Sequence, residues 1–307
     1  MNIQVKLAII AIIIVIPLSS IAVYETNANQ QFTINENLKL QAISSFYPLH
    51  EFSQNVGQDK VDATLLVPIG VEPHDWEPTI KDVQRMQQSD LIIINGIGFE
   101  NWVENLQENN FQGVIVDTSN GILVKSSIEQ HEEEHEDHNN GDPHIWLNPI
   151  TAKIQVQNIA NAFSNSDPEN QQYYQSNAAN YIEELDLLDS KIRNELSQCN
   201  NDFVAFHDAF SYFADEYNLV QHTIISSNDP HGEATAKTLE NIILTAKKLN
   251  IKVIFSEETV DTRTSQIIAN EINGKVLVLS PIEIASDGTY ISKMTENLEN
   301  LKEALCQ

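Results

Sequence analysis

From about Leu38 the chain alternates short, almost purely apolar runs with amphipathic stretches, and this rhythm limits the available folds more than any other feature. LQAISSFYP, TLLVP, DLIIING and GVIVDTS follow one another, with the polar stretch IKDVQRMQQ leading into the third. A run such as LIIIN is too short for an amphipathic helix and too uniformly apolar for a strand with one wet face. It reads as a buried strand of a parallel sheet. The rhythm resumes with DFVAFHD, HTIISSN, the helical KTLENIILTAKKL, IKVIFSE and KVLVLSP. The expectation is α/β, with two lobes. The length of 307 residues agrees, because it exceeds the roughly 250–300 residues at which one hydrophobic core stops growing.

The rhythm breaks once, at SDPENQQYYQSNAANYIEELDLLDSKIRNELSQC. Ser166 or Asp167 can cap a helix with Pro168 in its first turn, and Tyr174, Ala178, Tyr181, Leu185, Leu188, Ile192 and Leu196 recur three and four residues apart. One amphipathic helix close to 30 residues long is expected there, about 45 Å at 1.5 Å per residue. A helix of that length between two α/β halves reads as a stiff connector, which limits how far the lobes can hinge. The division is then an N-terminal lobe over residues 38–165, a connecting helix over 166–199 and a C-terminal lobe over 200–307.

The start of the chain is set apart by composition. Lys6 is followed by an apolar run from Leu7 to Val23, broken only by Pro17, Ser19 and Ser20. Residues 1–28 read as a signal peptide or an N-terminal membrane anchor, with Thr26-Asn27-Ala28 offering small residues for cleavage and no cysteine to accept a lipid. The rest of the chain is expected outside the cytoplasm, in the periplasm or at the cell surface. In such a compartment Cys199 and Cys306 either close a disulfide or remain two free thiols. With 17 Lys+Arg against 44 Asp+Glu the formal net charge is −27. That field repels phosphate backbones and concentrates cations, so nucleic acid is not an expected partner.

Three histidines sit in distinctive surroundings. In VEPHDWEP, His74 stands between Pro73 and Pro78, whose fixed φ values make a stiff bracket around it. DPHIWLNP repeats the grammar: His144 follows a proline, a tryptophan comes two residues later, and Pro149 closes the turn. His207, in FVAFHDAF, ends a strand, where ligands gather in open α/β sheets. Each taken alone fits a packed loop histidine as well as a ligand.

Taken together, VPIGVEPHDWEP, DPHIWLNP and VAFHDAF, in that order and with a long helix before the last, resemble the metal-binding signatures of the zinc/manganese ABC-transporter solute-binding proteins, the ZnuA/TroA-like family. The resemblance runs from about Ser44 to the C-terminus. It implies two α/β lobes with mainly parallel sheets, joined by one long rigid helix, with a metal bound in the interlobe cleft. His74 and His144 would come from the N-terminal lobe and His207 from the C-terminal lobe. It also implies a non-enzymatic monomer that hands its metal to an ABC permease and its ATPase. Three imidazoles suit Zn2+ at about 2.0–2.1 Å and leave a fourth tetrahedral position. Mn2+ prefers oxygen donors, and manganese-binding relatives tend to carry glutamate where this chain has His207, so zinc is the expected metal. One departure concerns the fourth ligand. Relatives place an aspartate after the last strand, and this chain has Ser280 in LSPIE. Glu283, Glu257 or a water is the expected replacement.

The acidic stretch EQHEEEHEDH, within a loop over 129–140, contains His131, His135 and His138 and matches the HExxH pattern of zinc proteases. Its context argues against a zinc hydrolase, because Ile128 is the only large apolar residue from Ser126 to Asp142 and a catalytic helix must bury a face. A secondary metal trap is the stronger reading, with a solvated charge run as the alternative. A surface adhesion protein with a structural metal on the same scaffold is the runner-up function. His50, His222 and His231 carry no motif and are assigned to packing or surface roles. Asp75, Glu77, Asp142 and Asp208 are chemically apt to orient the three imidazoles.

Overall fold

The computed structural model describes residues 39–108, 111–125, 141–225, 234–258, 260–285 and 287–306. The N-terminal apolar run, the histidine-rich stretch 129–138 and His231 lie outside the described residues. Among the described residues no helix is long and apolar enough to cross a membrane.

The N-terminal lobe runs β1 (Leu40–Ser44), α1 (Tyr47–Gly57), β2 (Val61–Leu65), α2 (Ile80–Met86), β3 (Leu91–Ile94), α3 (Val103–Glu108) and β4 (Val114–Asp117). Its sheet is parallel, in the order β2-β1-β3-β4. The C-terminal lobe repeats the plan with β5 (Asp202–Ala205), α6 (Ser211–Glu216), β6 (Val220–Thr223), α7 (Ala236–Leu249), β7 (Val253–Ser256), α8 (Arg263–Glu271), β8 (Lys275–Val278) and α9 (Tyr290–Leu305). Its order is β6-β5-β7-β8, again all parallel. Both lobes therefore have the same topological switch point, where the first strand lies between the second and the third.

Strand side chains alternate between two cores, as a period of two demands. In β3, Leu91 and Ile93 enter the large central core while Ile92 and Ile94 enter a smaller one with Met86, Trp102 and Leu106. In β5 and β7, Phe203, Ala205, Val253 and Phe255 face the central core, and Val204 and Ile254 face a second satellite. Strands apolar on both faces are what this arrangement requires, and they are what made LIII and VIFS legible. The central core continues from one lobe through the connecting helices to the other, so the lobes share one apolar interior.

The connector is one long helix, preceded by a shorter one. α4 (Pro149–Ser166) is followed by a 3-10 turn at Pro168–Asn170 and then α5 (Gln171–Leu196), which has 26 residues and spans about 39 Å. The periodic positions Tyr174, Ala178, Tyr181, Leu185, Leu188, Ile192 and Leu196 are the buried face of α5. Its start is later than the capping pattern suggested. Ser166 closes α4, and Asp167 leaves helical geometry and accepts hydrogen bonds from Tyr174 Oη and Asn170 Nδ2, both at 2.7 Å. At the other end Cys199 and Cys306 form a disulfide with their Cα atoms 4.4 Å apart, fastening the chain after α5 to the residue after α9.

Candidate metal centre

Each of the three motif histidines is delivered by a different local device. His74 lies in the loop between β2 and α2, and its backbone N–H donates to the Glu72 carboxylate at 3.1 Å. The loop ends at Thr79, which caps α2 in a reciprocal capping box with Asp82. His144 leads into a 3-10 turn at Ile145–Leu147, after which Asn148 caps α4 and Pro149 opens it. His207 follows β5 at the switch point of the second sheet. Glu283 arrives from the segment between β8 and α9.

These four side chains converge, each offering one donor atom, with all four atoms within 4.8 Å of one another. One Glu283 oxygen lies 3.3 Å from His74 Nε2, 3.4 Å from His144 Nε2 and 3.8 Å from His207 Nε2, while His144 Nε2 and His207 Nε2 are 3.3 Å apart. Ligands about 2.05 Å from a tetrahedral ion are separated by about 3.3 Å. Most of these separations match that edge, with His207 standing slightly back from Glu283. The His144 and His207 side chains are fully buried, and 9% of the His74 side chain remains exposed.

Two imidazoles are anchored from behind. His144 Nδ1 lies 2.7 Å from Asp142 Oδ1, and His207 Nδ1 lies 2.6 Å from Glu257 Oε1. An ionised carboxylate can only accept, so both Nδ1 atoms carry a proton and both Nε2 atoms face the centre, where a cation displaces any proton they hold. Electrostatics follow from this packing. Burial alone would lower His144, but Asp142 and Glu283 outweigh it and raise its pKa to about 10. Burial likewise opposes the upward shift of His207, which Glu257 and Glu283 produce. Burial pushes the Glu283 carboxyl up, and the three histidines override it and hold the group well below the usual carboxylate range.

The other candidate residues fall elsewhere. Glu257 stands behind His207 and outside the four converging donors. Ser280 is buried, and its hydroxyl accepts from the Ile282 N–H at 3.1 Å. Asp208 accepts from Gln221 Nε2 at 2.6 Å, and Asp75 and Glu77 are exposed. His222 pairs with Asp202 at 2.8 Å, and the buried His50 Nδ1 has no hydrogen-bond partner among the described residues. His131, His135 and His138 lie outside the described residues. A polar layer around Glu100 went unread in the sequence. The Glu100 carboxylate accepts from Ser45 Oγ at 2.7 Å, Asn95 N at 2.8 Å and Gly96 N at 3.2 Å, and Asn95 Nδ2 donates to Pro143 O at 2.8 Å, next to His144. The only sequence signal was NGIGFE, where Gly96, Ile97 and Gly98 all take positive φ.

Comparison with known proteins gives a consistent result. The family model described as the periplasmic component A of zinc-uptake complexes matches residues 43–304. The high-affinity zinc uptake system protein ZnuA of Bacillus subtilis is 38% identical over 281 residues, which cover 87% of this chain and 88% of that protein. The Zn(II)-bound ZnuA-like domain of Streptococcus pneumoniae AdcA superposes with a TM-score of 0.75 at 30% identity, over 88% of this chain and all of that one. The chain spans 56% of the length of the complete AdcA lipoprotein of that species. The laminin-binding protein Lmb of Streptococcus agalactiae, described as bifunctional with adhesin and metal transporting activity, has a TM-score of 0.77 at 28% identity over 86% of this chain and 99% of Lmb.

Proposed function

Because the chain belongs to the family of periplasmic zinc-uptake components, we propose that it is the extracytoplasmic receptor of an ABC importer, which captures Zn2+ in its interlobe cleft and delivers it to a membrane permease driven by a cytoplasmic ATPase. The ligands in this reading are His74, His144, His207 and Glu283, with zinc as cargo. The observation that carries it is the convergence of four donor atoms within 4.8 Å of one another, with three of their separations at 3.3–3.4 Å, the edge of a tetrahedron around an ion of zinc's bond length. Three nitrogens and one oxygen favour Zn2+ over Mn2+, which prefers an octahedron of oxygens. Four protein donors close the tetrahedron and leave no open position for an activated water, so capture and release, without catalysis, is the function this centre suits.

The acidic stretch 129–138 serves in this reading as an auxiliary trap through His131, His135 and His138. The N-terminal run holds the receptor at the membrane or is removed on export. Competitive titration of the metal-free protein with zinc, manganese and copper tests the assignment on wild type and on His74→Ala, His144→Ala and His207→Ala. One tight zinc site, weakened by each substitution, is the expected result. Deleting residues 129–138 lowers the total zinc bound and leaves the tight site intact. If the three variants retain tight zinc while the deletion abolishes it, the ligands lie in the acidic stretch.

The likeness to Lmb supports a second role in adhesion on the same scaffold. Binding of the zinc-loaded protein to immobilised laminin tests it, and no binding above that of an unrelated acidic protein removes it.

A further inference from the structure

Glu283 follows a position of unfavourable backbone geometry. Ile282, directly before it, is β-branched and buried and has φ of +58°, a region that such residues avoid. A conformation of this kind persists only where the surroundings over-determine it. Here they do so from both lobes. On the C-terminal side, Ser280 and Asn297 form a two-way clamp: Ser280 N donates to Asn297 Oδ1 at 2.8 Å, and Asn297 Nδ2 donates to Ser280 O at 2.7 Å. Both residues are buried, and the Ser280 hydroxyl takes the Ile282 N–H. On the N-terminal side, Trp146 Nε1 donates to Pro281 O at 2.7 Å across the cleft. The Trp146 carbonyl in turn accepts from Tyr290 Oη at 2.6 Å, and the Tyr290 N–H is capped by both oxygens of Glu51 at 2.7 Å. The segment bearing Glu283 is thus tied to the opposite lobe at Pro281 and again at Tyr290.

We propose that Trp146, Ser280 and Asn297 are positioning residues for the zinc-binding carboxylate of Glu283. They hold the turn at Ser280–Ile282 in the conformation that aims the carboxylate at the three imidazoles. The inference rests on the reading of Glu283 as a zinc ligand. It accounts for Ser280, which has no carboxylate of its own and closes the turn that presents one three residues later. It also explains why Trp146 follows His144 so closely. One short motif supplies a nitrogen ligand and, through its indole N–H, fixes the oxygen ligand delivered by the other lobe. The indole ring also packs on His144, Phe99 and Phe46, at centroid distances of 5.1, 5.4 and 4.7 Å. Trp146→Phe therefore removes the N–H while keeping an aromatic ring in that place.

The test is a double-mutant cycle on zinc affinity, using wild type, Trp146→Phe, Glu283→Ala and the double variant, repeated with Ser280→Ala in place of Trp146→Phe. Residues that orient a ligand are worth about tenfold to a hundredfold in metal affinity, and each positioning variant should lose that much. The loss should vanish in the Glu283→Ala background, where no carboxylate remains to be aimed. Cobalt loaded in place of zinc should give Trp146→Phe and Ser280→Ala a visible spectrum like that of Glu283→Ala. If Glu283→Ala leaves zinc affinity unchanged, the ligand assignment fails and the proposal goes with it. If Glu283→Ala weakens zinc but the positioning variants weaken it equally in both backgrounds, or in neither, the ligand stands and the positioning role is overturned. Ser280→Ala separates the same outcomes should Trp146→Phe disturb folding.

Discussion

The two lobes share a topology but use their switch points differently. In the C-terminal sheet the chain leaving β5 carries His207 and the chain leaving β7 carries Glu257, and the two meet as candidate ligand and anchor. In the N-terminal sheet the chains leaving β1 and β3 bring Ser45 and Glu100 together in the corresponding place, with no imidazole between them. That lobe delivers its histidines from the outer strands instead, His74 after β2 and His144 after β4. A switch point supplies a crevice at the carboxyl ends of strands, and the residue types placed there decide its use. In one lobe it faces the candidate metal centre. In the other it is a buried polar brace, which reaches toward His144 through Asn95 and the Pro143 carbonyl.

Removing an imidazole should have the largest effect. In the proposed centre four ligands share a zinc-binding free energy that is about 10–16 kcal/mol in structural sites, so losing one should weaken binding by roughly a hundredfold or more. His144→Ala and His207→Ala should exceed His74→Ala, because the His74 side chain is partly exposed, so water can fill the gap there, while the His144 and His207 side chains are fully buried and anchored at Nδ1 by carboxylates. Isothermal competition against a calibrated chelator gives the ranking. If His74→Ala proved the most damaging, the anchored rings would not be the core of the centre.

The sequence carried the histidines clearly and the carboxylates poorly, for a physical reason. A histidine bracketed by prolines announces a fixed loop, and the recurrence of Pro-His-x-Trp at His74 and His144 marks two such loops, each leading toward a helix. Glu283 and Glu257 were equal candidates because both follow a strand of the same sheet. The fold brings Glu283 among the three imidazoles and sets Glu257 against His207 Nδ1, and local sequence encodes neither placement. The buried face of α5 was legible because it depends only on helical period. The break at Asp167 was not, because Ser-Asp-Pro is as good a start for one helix as it is an end for another. Pairing of Cys199 with Cys306, 107 residues apart, likewise depends on where α9 lands.

The N-terminal brace should show itself through pH. Burial pushes the Glu100 carboxyl from an ordinary 4.5 up to about 7, against the pull of Ser45 and the Asn95 and Gly96 N–H groups. Its folded value lies above the unfolded one, so its contribution to stability is fully present below about 4.5 and is lost as pH climbs through about 7. At 1.36 kcal/mol per pH unit the loss comes to roughly 3 kcal/mol. Urea unfolding of the metal-free protein across this range should show wild type declining relative to Glu100→Gln as pH rises. Parallel profiles for the two proteins would mean that the brace is ionised throughout.

The finest contrast sets Glu257→Gln against Glu100→Gln, the same change at matching places in the two lobes. Glutamine at 257 can still accept from His207 Nδ1, so the ring stays oriented. What disappears is the negative charge behind it, which makes the imidazole a stronger donor to a cation. Zinc affinity should fall by about tenfold to a hundredfold, the usual cost of a disturbed ligand partner. The Glu100 carboxylate is held by Ser45, Asn95 and Gly96, and its hydrogen-bonded route to the centre runs through Asn95 to a backbone carbonyl, so Glu100→Gln should change stability while leaving zinc affinity where it was. Equal weakening by the two variants would show that the N-terminal brace governs the metal as directly as Glu257 does, and the two switch points would then differ in chemistry but not in role.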